Sequence, residues 1–149
     1  MKYFIVFVAA CVVAVNAAFD EEFKAKVIKK VEEVGTACAA QENANGDDIA
    51  ELMAKKAPTR KEGKCLVACF HEKFGVQDKD GKLSLDGAIA SIEPFKAANE
   101  EIYGKMKQVI EKCIAEVGDA GDRCETAIKF AGCGKREGEA LGLNESLIM

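Results

Sequence analysis

Six cysteines, Cys38, Cys65, Cys69, Cys113, Cys124 and Cys133, stand 26, 3, 43, 10 and 8 residues apart. An even set in a short exported chain reads as a disulfide framework, which limits the fold more tightly than composition does. Six cysteines allow fifteen full pairings. Three of these contain a Cys65–Cys69 bond, and one turn of regular helix holds those two Cβ atoms too far apart for unstrained geometry. Twelve pairings remain open. Zinc is the competing use, but a C-x3-C spacing with no C-x2-C and a single His in the chain is a poor ligand set. We therefore expect no metal and no cofactor.

Export is itself read from the first residues. Lys2 precedes an apolar run, Phe4 to Val15, and the triplet Val15-Asn16-Ala17 follows. This is the pattern of a secretory signal peptide over residues 1–17, with cleavage after Ala17, and the run is too short to cross a bilayer. The leader takes Cys11 and Lys2 with it, so seven cysteines become six and the net charge moves from −4 to −5. Residues 18–149 suit one domain that is secreted and extracellular. An acidic chain with interspersed charges has no basic surplus for nucleic acid or an anionic membrane, and no stable membrane insertion is expected.

The mature chain reads as all-α, with no period-two strand pattern. Phe23, Val27, Val31, Val34 and Cys38 share one face of a first helix. Gly46-Asp47-Asp48 offers the start of a short second helix carrying Ile49, Leu52 and Met53, which Pro58 prevents from continuing. Thr59-Arg60-Lys61-Glu62 fits a capping box that opens helix three, running to Phe74 before Gly75. After the charged loop Gln77 to Lys82, the apolar residues Leu83, Leu85, Ile89 and Ile92 predict a short helix ending at Pro94. Asn99 caps a long stripe of Ile102, Met106, Val109 and Cys113, which ends near Gly118. A sixth helix runs from about Asp122 to Cys133 and stops at Gly134.

The pattern C-x26-C-x3-C-x43-C-x10-C-x8-C behind a leader resembles the insect odorant-binding protein family, in its six-cysteine form, over Cys38 to Cys133. The resemblance implies a compact six-helix fold around an apolar cavity. It also implies the interlocked bonds Cys38–Cys69, Cys65–Cys124 and Cys113–Cys133. The implied function is carriage of small hydrophobic molecules such as odorants, pheromones or similar semiochemicals, without catalysis. A receptor in a sensory membrane and a homodimer are the further partners the resemblance admits.

Apolar positions on the read helices supply a candidate lining: Leu52, Met53, Leu66, Phe70, Phe74, Leu85, Ile89, Ile92, Met106, Ile110 and Ile128. All are equally what a filled helical core requires. The tail, residues 134–149, carries Leu141, Leu143, Leu147 and Ile148. In several family members this segment is a cavity wall or lid, so Leu143 and Ile148 join the lining, beside the plainer reading of a solvated terminus. Asn144-Glu145-Ser146 fits the N-glycosylation sequon, and a glycan there would hold that residue at the surface.

Other signals are weaker. Asp78-Lys79-Asp80-Gly81 suggests a calcium loop, but placing Gly81 at the loop's glycine puts Val76 and Gly87 where carboxylates are required. A solvated turn fits better. His71 is followed by Glu72 and has no partners for a hydrolytic triad, so it is read as a surface residue. The alternative to a carrier is a disulfide-rich extracellular module that recognises a protein partner. It would show a filled core and an exposed apolar patch in place of a cavity.

Overall fold

The computed structural model describes residues 18–143, and the expected leader and the tail residues Asn144, Leu147 and Ile148 lie outside that range. The described residues form six helices: α1 (Glu21–Glu42), α2 (Gly46–Met53), α3 (Lys61–Lys73), α4 (Leu85–Ala98), α5 (Glu100–Val117) and α6 (Arg123–Ala140). The extended structure among them is an isolated antiparallel bridge between Gln77 and Leu83. Helix α3 packs on α1, α2 and α6, while α5 packs on α4 and α6.

Most boundaries follow from local chemistry. Asp20 caps α1 by accepting the Phe23 N–H at 2.8 Å, and Glu21 and Glu22 favour the positive end of the helix dipole. Asn99 caps α5 and Asp122 caps α6 in the same way. Four expectations are corrected. The N-cap of α2 is Asn45, one residue before Gly46, in a reciprocal box with Asp48. The Thr59 box does not form, because the Glu51 carboxylate takes both the Thr59 N–H and its hydroxyl proton at 2.8 Å each. Helix α3 therefore begins one residue later, behind an Arg60 that gives no side-chain cap.

The third correction is that α4 does not end at Pro94 but continues to Ala98. A proline inside a helix removes one backbone bond and crowds the carbonyl four residues earlier. Tertiary packing outweighs that penalty here, since Phe95 lies edge-on to Phe19 and Phe23 at centroid distances of 5.5 and 5.1 Å. The fourth is that α6 passes Gly134 and stops at Gly142, whose φ is +75°. There the Leu143 N–H reaches Gly138 O and the Gly142 N–H reaches Glu139 O, the paired closure that a left-handed glycine permits.

The structure bonds Cys38 to Cys69, Cys65 to Cys124 and Cys113 to Cys133. These tie α1 to α3, α3 to α6 and α5 to α6. Loops spanning 31, 59 and 20 positions are closed, and each stabilises the fold by roughly 3 to 4 kcal/mol through the unfolded chain. Each bond also sits in its own apolar cluster: Val34 and Leu66 with the first, Ala68 and Ala127 with the second, Val109 with the third.

One close approach fixes the entry to α4. A Cβ added at Gly87 would lie 1.9 Å from Gly75 O, whereas one added at Gly104 in α5 would meet nothing within 4 Å. Gly87→Ala is expected to lower unfolding stability by about 2 kcal/mol or more, and Gly104→Ala to raise it by roughly 0.5 to 1 kcal/mol. Urea unfolding of the two variants beside the parent chain checks both signs.

Candidate functional site

Three clusters centred on disulfides leave space between them. The largest space, about 650 Å³, lies among α4, α5 and α6. Helix α4 presents Ala88, Ser91 and Ile92, and α5 presents Met106, Val109 and Ile110 at helical spacing. Helix α6 presents Phe130, Gly134, Lys135, Gly138 and Glu139, while Val76, Leu143 and Lys55 complete the wall. Two of the α6 contributions are glycines, and a Cβ at Gly134 would meet nothing within 4 Å. The side chain missing at Gly134 is therefore open space, whereas a Cβ at Gly138 would touch Leu143 at 3.6 to 3.7 Å. The size lies within the roughly 300–1,000 Å³ of small-molecule sites.

The wall is chemically simple. Ser91 donates its hydroxyl proton to Ala88 O at 2.7 Å, so its polar group is already used. Among the described residues, the charged ones on the wall are Lys55, Lys135 and Glu139. Among the described residues no cluster of His, Cys, Asp and Glu could hold a metal ion, and no helix is long and apolar enough to cross a membrane.

The PBP/GOBP family model matches residues 20–137. The chain belongs to that family. It is 31% identical over 101 residues to general odorant-binding protein 19d of Drosophila melanogaster, covering 68% of this chain and 67% of that one. It is 27% identical over 130 residues to general odorant-binding protein 28a of the same species, covering 87% and 88%. Among solved structures, odorant-binding protein dmelOBP28a superposes with a TM-score of 0.68 at 23% identity, covering 81% of this chain and 99% of that one.

Within this PBP/GOBP chain the candidate lining residues do not converge on one space. Ile92, Met106, Ile110 and Leu143 line the main cavity. Leu52, Met53, Leu66 and Phe70 line a separate groove of about 500 Å³ between α1, α2 and α3, and Met53 is 74% exposed there. Ile128 and Leu52 line a chamber of about 360 Å³. Leu85 and Ile89 face an outer groove among Asp86, Glu93, Lys107 and Glu111. Phe74 stacks on Phe70 at 5.8 Å within the Cys38–Cys69 cluster. Helical periodicity finds apolar faces, but it cannot distinguish which of them close on a neighbour and which on empty space.

Phe130 was not among the candidates, and Gly134, Lys135, Gly138 and Glu139 were covered only by the reading of residues 134–149 as a tail that forms a wall or lid, because Gly134 reads as a helix end. The wall glycines gave the only usable signal, since glycine within a helix wants a packing or spatial reason.

His71 is also corrected: it is half-buried and not a surface residue. Gln77 donates from Nε2 to Arg123 O at 3.1 Å, leaving Oε1 to accept the Nδ1–H of His71 at 3.2 Å. The imidazole meets the edge of Phe130, a wall residue, at 5.5 Å. Burial lowers the His71 pKa from 6.5, and the Gln77 hydrogen bond opposes this only in part. Below the unfolded value the unfolded chain binds a proton that the folded ring resists, so stability falls as the pH drops through that window. His71→Gln should flatten the slope as the pH falls below about 6.5, measured as urea midpoints. A slope unchanged by the substitution would place the titration elsewhere.

Proposed function

We propose that the chain is a secreted carrier that binds a small hydrophobic molecule, an odorant, pheromone or similar semiochemical, in the cavity among α4, α5 and α6. The observation that carries this reading is an apolar space of about 650 Å³ in a fold tied by three disulfides. Its relatives 19d and 28a are named general odorant-binding proteins. A ligand that buries ten or so methylenes gains on the order of 0.8 kcal/mol for each, against several kcal/mol of association cost. Micromolar affinity, about −8 kcal/mol, follows. No reaction is assigned: among the described residues the wall holds neither a nucleophile paired with a base nor a histidine.

The same reading takes residues 1–17 as the export leader and residues 134–149 as part of the cavity wall. Leu143 lines the cavity, which supports the tail reading as far as the described residues go. A sensory-membrane receptor and a homodimer are further partners of the carrier. The recognition alternative finds its support in the groove beside Val31, Ile49 and Met53, all exposed.

The test is displacement of a neutral fluorescent apolar probe from the oxidised exported chain by volatile alcohols, esters and aldehydes. Saturable one-to-one displacement is expected, and reduction of the disulfides should abolish it. Gly134→Leu places a side chain in the cavity. It should weaken ligand binding about tenfold while the helix gains roughly 0.5 to 1 kcal/mol from the loss of glycine. An oxidised chain that binds neither probe nor ligand overturns the carrier reading in favour of a protein partner.

A further inference from the structure

We propose that Phe19, which is not part of the cavity lining, latches the α4 wall and so sets how fast ligand is exchanged. This rests on the carrier reading and concerns the passage of ligand into and out of the same site. Of the three helices around the cavity, α5 and α6 are tied by Cys113–Cys133, and α6 is tied to α3 by Cys65–Cys124. Helix α4 holds no cysteine. A path between α5 and α6 would have to part a disulfide and its apolar cluster, whereas α4 moves by breaking non-covalent contacts alone.

Those contacts gather at its two ends. At the start, the Ser84 N–H reaches Val76 O at 2.8 Å, the Ser84 hydroxyl accepts the Gly87 N–H at 3.0 Å, and Gly87 lies against Gly75. Ala88, Ser91 and Ile92 follow and face the cavity. At the far end Phe95 lies edge-on to Phe19 and Phe23, and those two rings meet each other at 5.1 Å. Asn99 closes the same corner: its Oδ1 accepts the Ile102 N–H at 3.1 Å, while its Nδ2 donates to Ala18 O at 3.2 Å. Phe23 belongs to α1, which Cys38–Cys69 fixes to α3. Residues 18 and 19 therefore fasten the end of α4 to a covalently held part of the scaffold.

Pro94 makes the latch necessary. Lacking an N–H, it leaves the last turn of α4 one backbone bond short, so the position of that turn depends on the ring contacts of Phe95. The start of the helix, held by backbone contacts, is the pivot. Phe19 makes two of the three ring pairs, and losing them raises the population of the open wall about tenfold. Where that open state is about 1% populated, the closed state still dominates after the change. Entry and exit then accelerate together and affinity is preserved. A residue that merely supports the fold behaves differently, because its loss lowers the fraction of chains able to bind and leaves the rates of the remainder unchanged.

The experiment follows binding and release of the neutral fluorescent apolar probe by stopped flow, with the oxidised exported chain. Phe19→Ala is expected to raise the association and release rates about tenfold each, with Kd held within about twofold and the stoichiometry unchanged. Phe19→Leu keeps the apolar volume without the ring and should accelerate both rates about threefold. Phe95→Ala should resemble Phe19→Ala, and the double variant should fall well short of the roughly hundredfold that independent effects would give. Hydrogen exchange should quicken at the amides of α4 and not at those of α6. Parent-like rates in Phe19→Ala overturn the proposal, as does a lower binding stoichiometry at unchanged rates. Release that quickens while association stays constant also overturns it, since Phe19 would then shape the closed site. A parent chain that binds no probe overturns the carrier reading instead.

Discussion

Each disulfide lies inside its own small apolar cluster, and the remaining structure is arranged around that division. A chain with one continuous core closes by filling it, because interior voids forfeit contacts on every side. Here the sulfurs of Cys38, Cys69 and Cys113 are fully buried and replace part of the apolar mass that a core would need. The covalent constraint acts on the unfolded chain, so it stabilises the fold whether or not the space between clusters is filled. That separation permits an empty volume among α4, α5 and α6 in a domain of modest size.

Helix α4 forms one wall of the cavity yet carries no disulfide, so polar and steric contacts must place it. Gly87 lies against the backbone of Gly75 at the end of α3, and Gly81 lies against Arg123 at the start of α6. Arg123 in turn bridges Glu42 and Glu72 with contacts of 2.7 and 2.8 Å, joining the ends of α1 and α3. Gln77 completes the connection by donating to Arg123 O while accepting from His71. The loop from Gln77 to Lys82 is thus more than the solvated turn its charges suggest. Asp78 accepts two backbone N–H groups of that turn on its exposed side, while Gly81 and Gln77 are buried on the other. His71, Gln77 and Phe130 form a continuous path from this junction to the cavity wall, so the imidazole's protonation acts at a position where the scaffold meets the site.

Much of this was legible in the sequence where local chemistry decides the outcome. The caps Asn99 and Asp122 and the stop at Gly118 are set within a few residues, and so is the helical stripe that brings Cys113 into the interior. The cysteine spacing carried the fold through its family resemblance. What stayed hidden depends on partners distant in sequence. Pro94 reads as a terminus unless Phe95 is known to lock onto Phe19 and Phe23, whose rings are more than 70 positions away in the chain. Thr59 fits a capping box until Glu51, from the preceding helix, takes both of its protons. His71 is polar and followed by Glu72 and Lys73, so it reads as surface, whereas its cover comes from Gln77 and Phe130, one beyond the helix and the other on α6. The cavity lining was partly read for the same reason: Ile92, Met106 and Ile110 face the void, while Leu66 and Phe70, equally apolar and equally periodic, face a different groove.

Helix α6 shows how the empty volume is maintained. Gly132, Gly134 and Gly138 lie within its eighteen residues, and each weakens a helix by roughly 0.5 to 1 kcal/mol relative to alanine. On propensity alone the segment after Cys133 should fray, which is why it reads as a terminus. Instead the Cys113–Cys133 bond anchors its middle to α5, and Leu141 and Leu143 pack back onto that cluster. A larger residue at Gly134 would make a better helix and a smaller cavity. The composition of α6 therefore favours space over intrinsic helix stability, and the disulfide at its centre offsets the loss. The same face then carries Lys135 one residue after Gly134, so the side chain missing from the wall and the charge at its rim come from adjacent positions of a single helix.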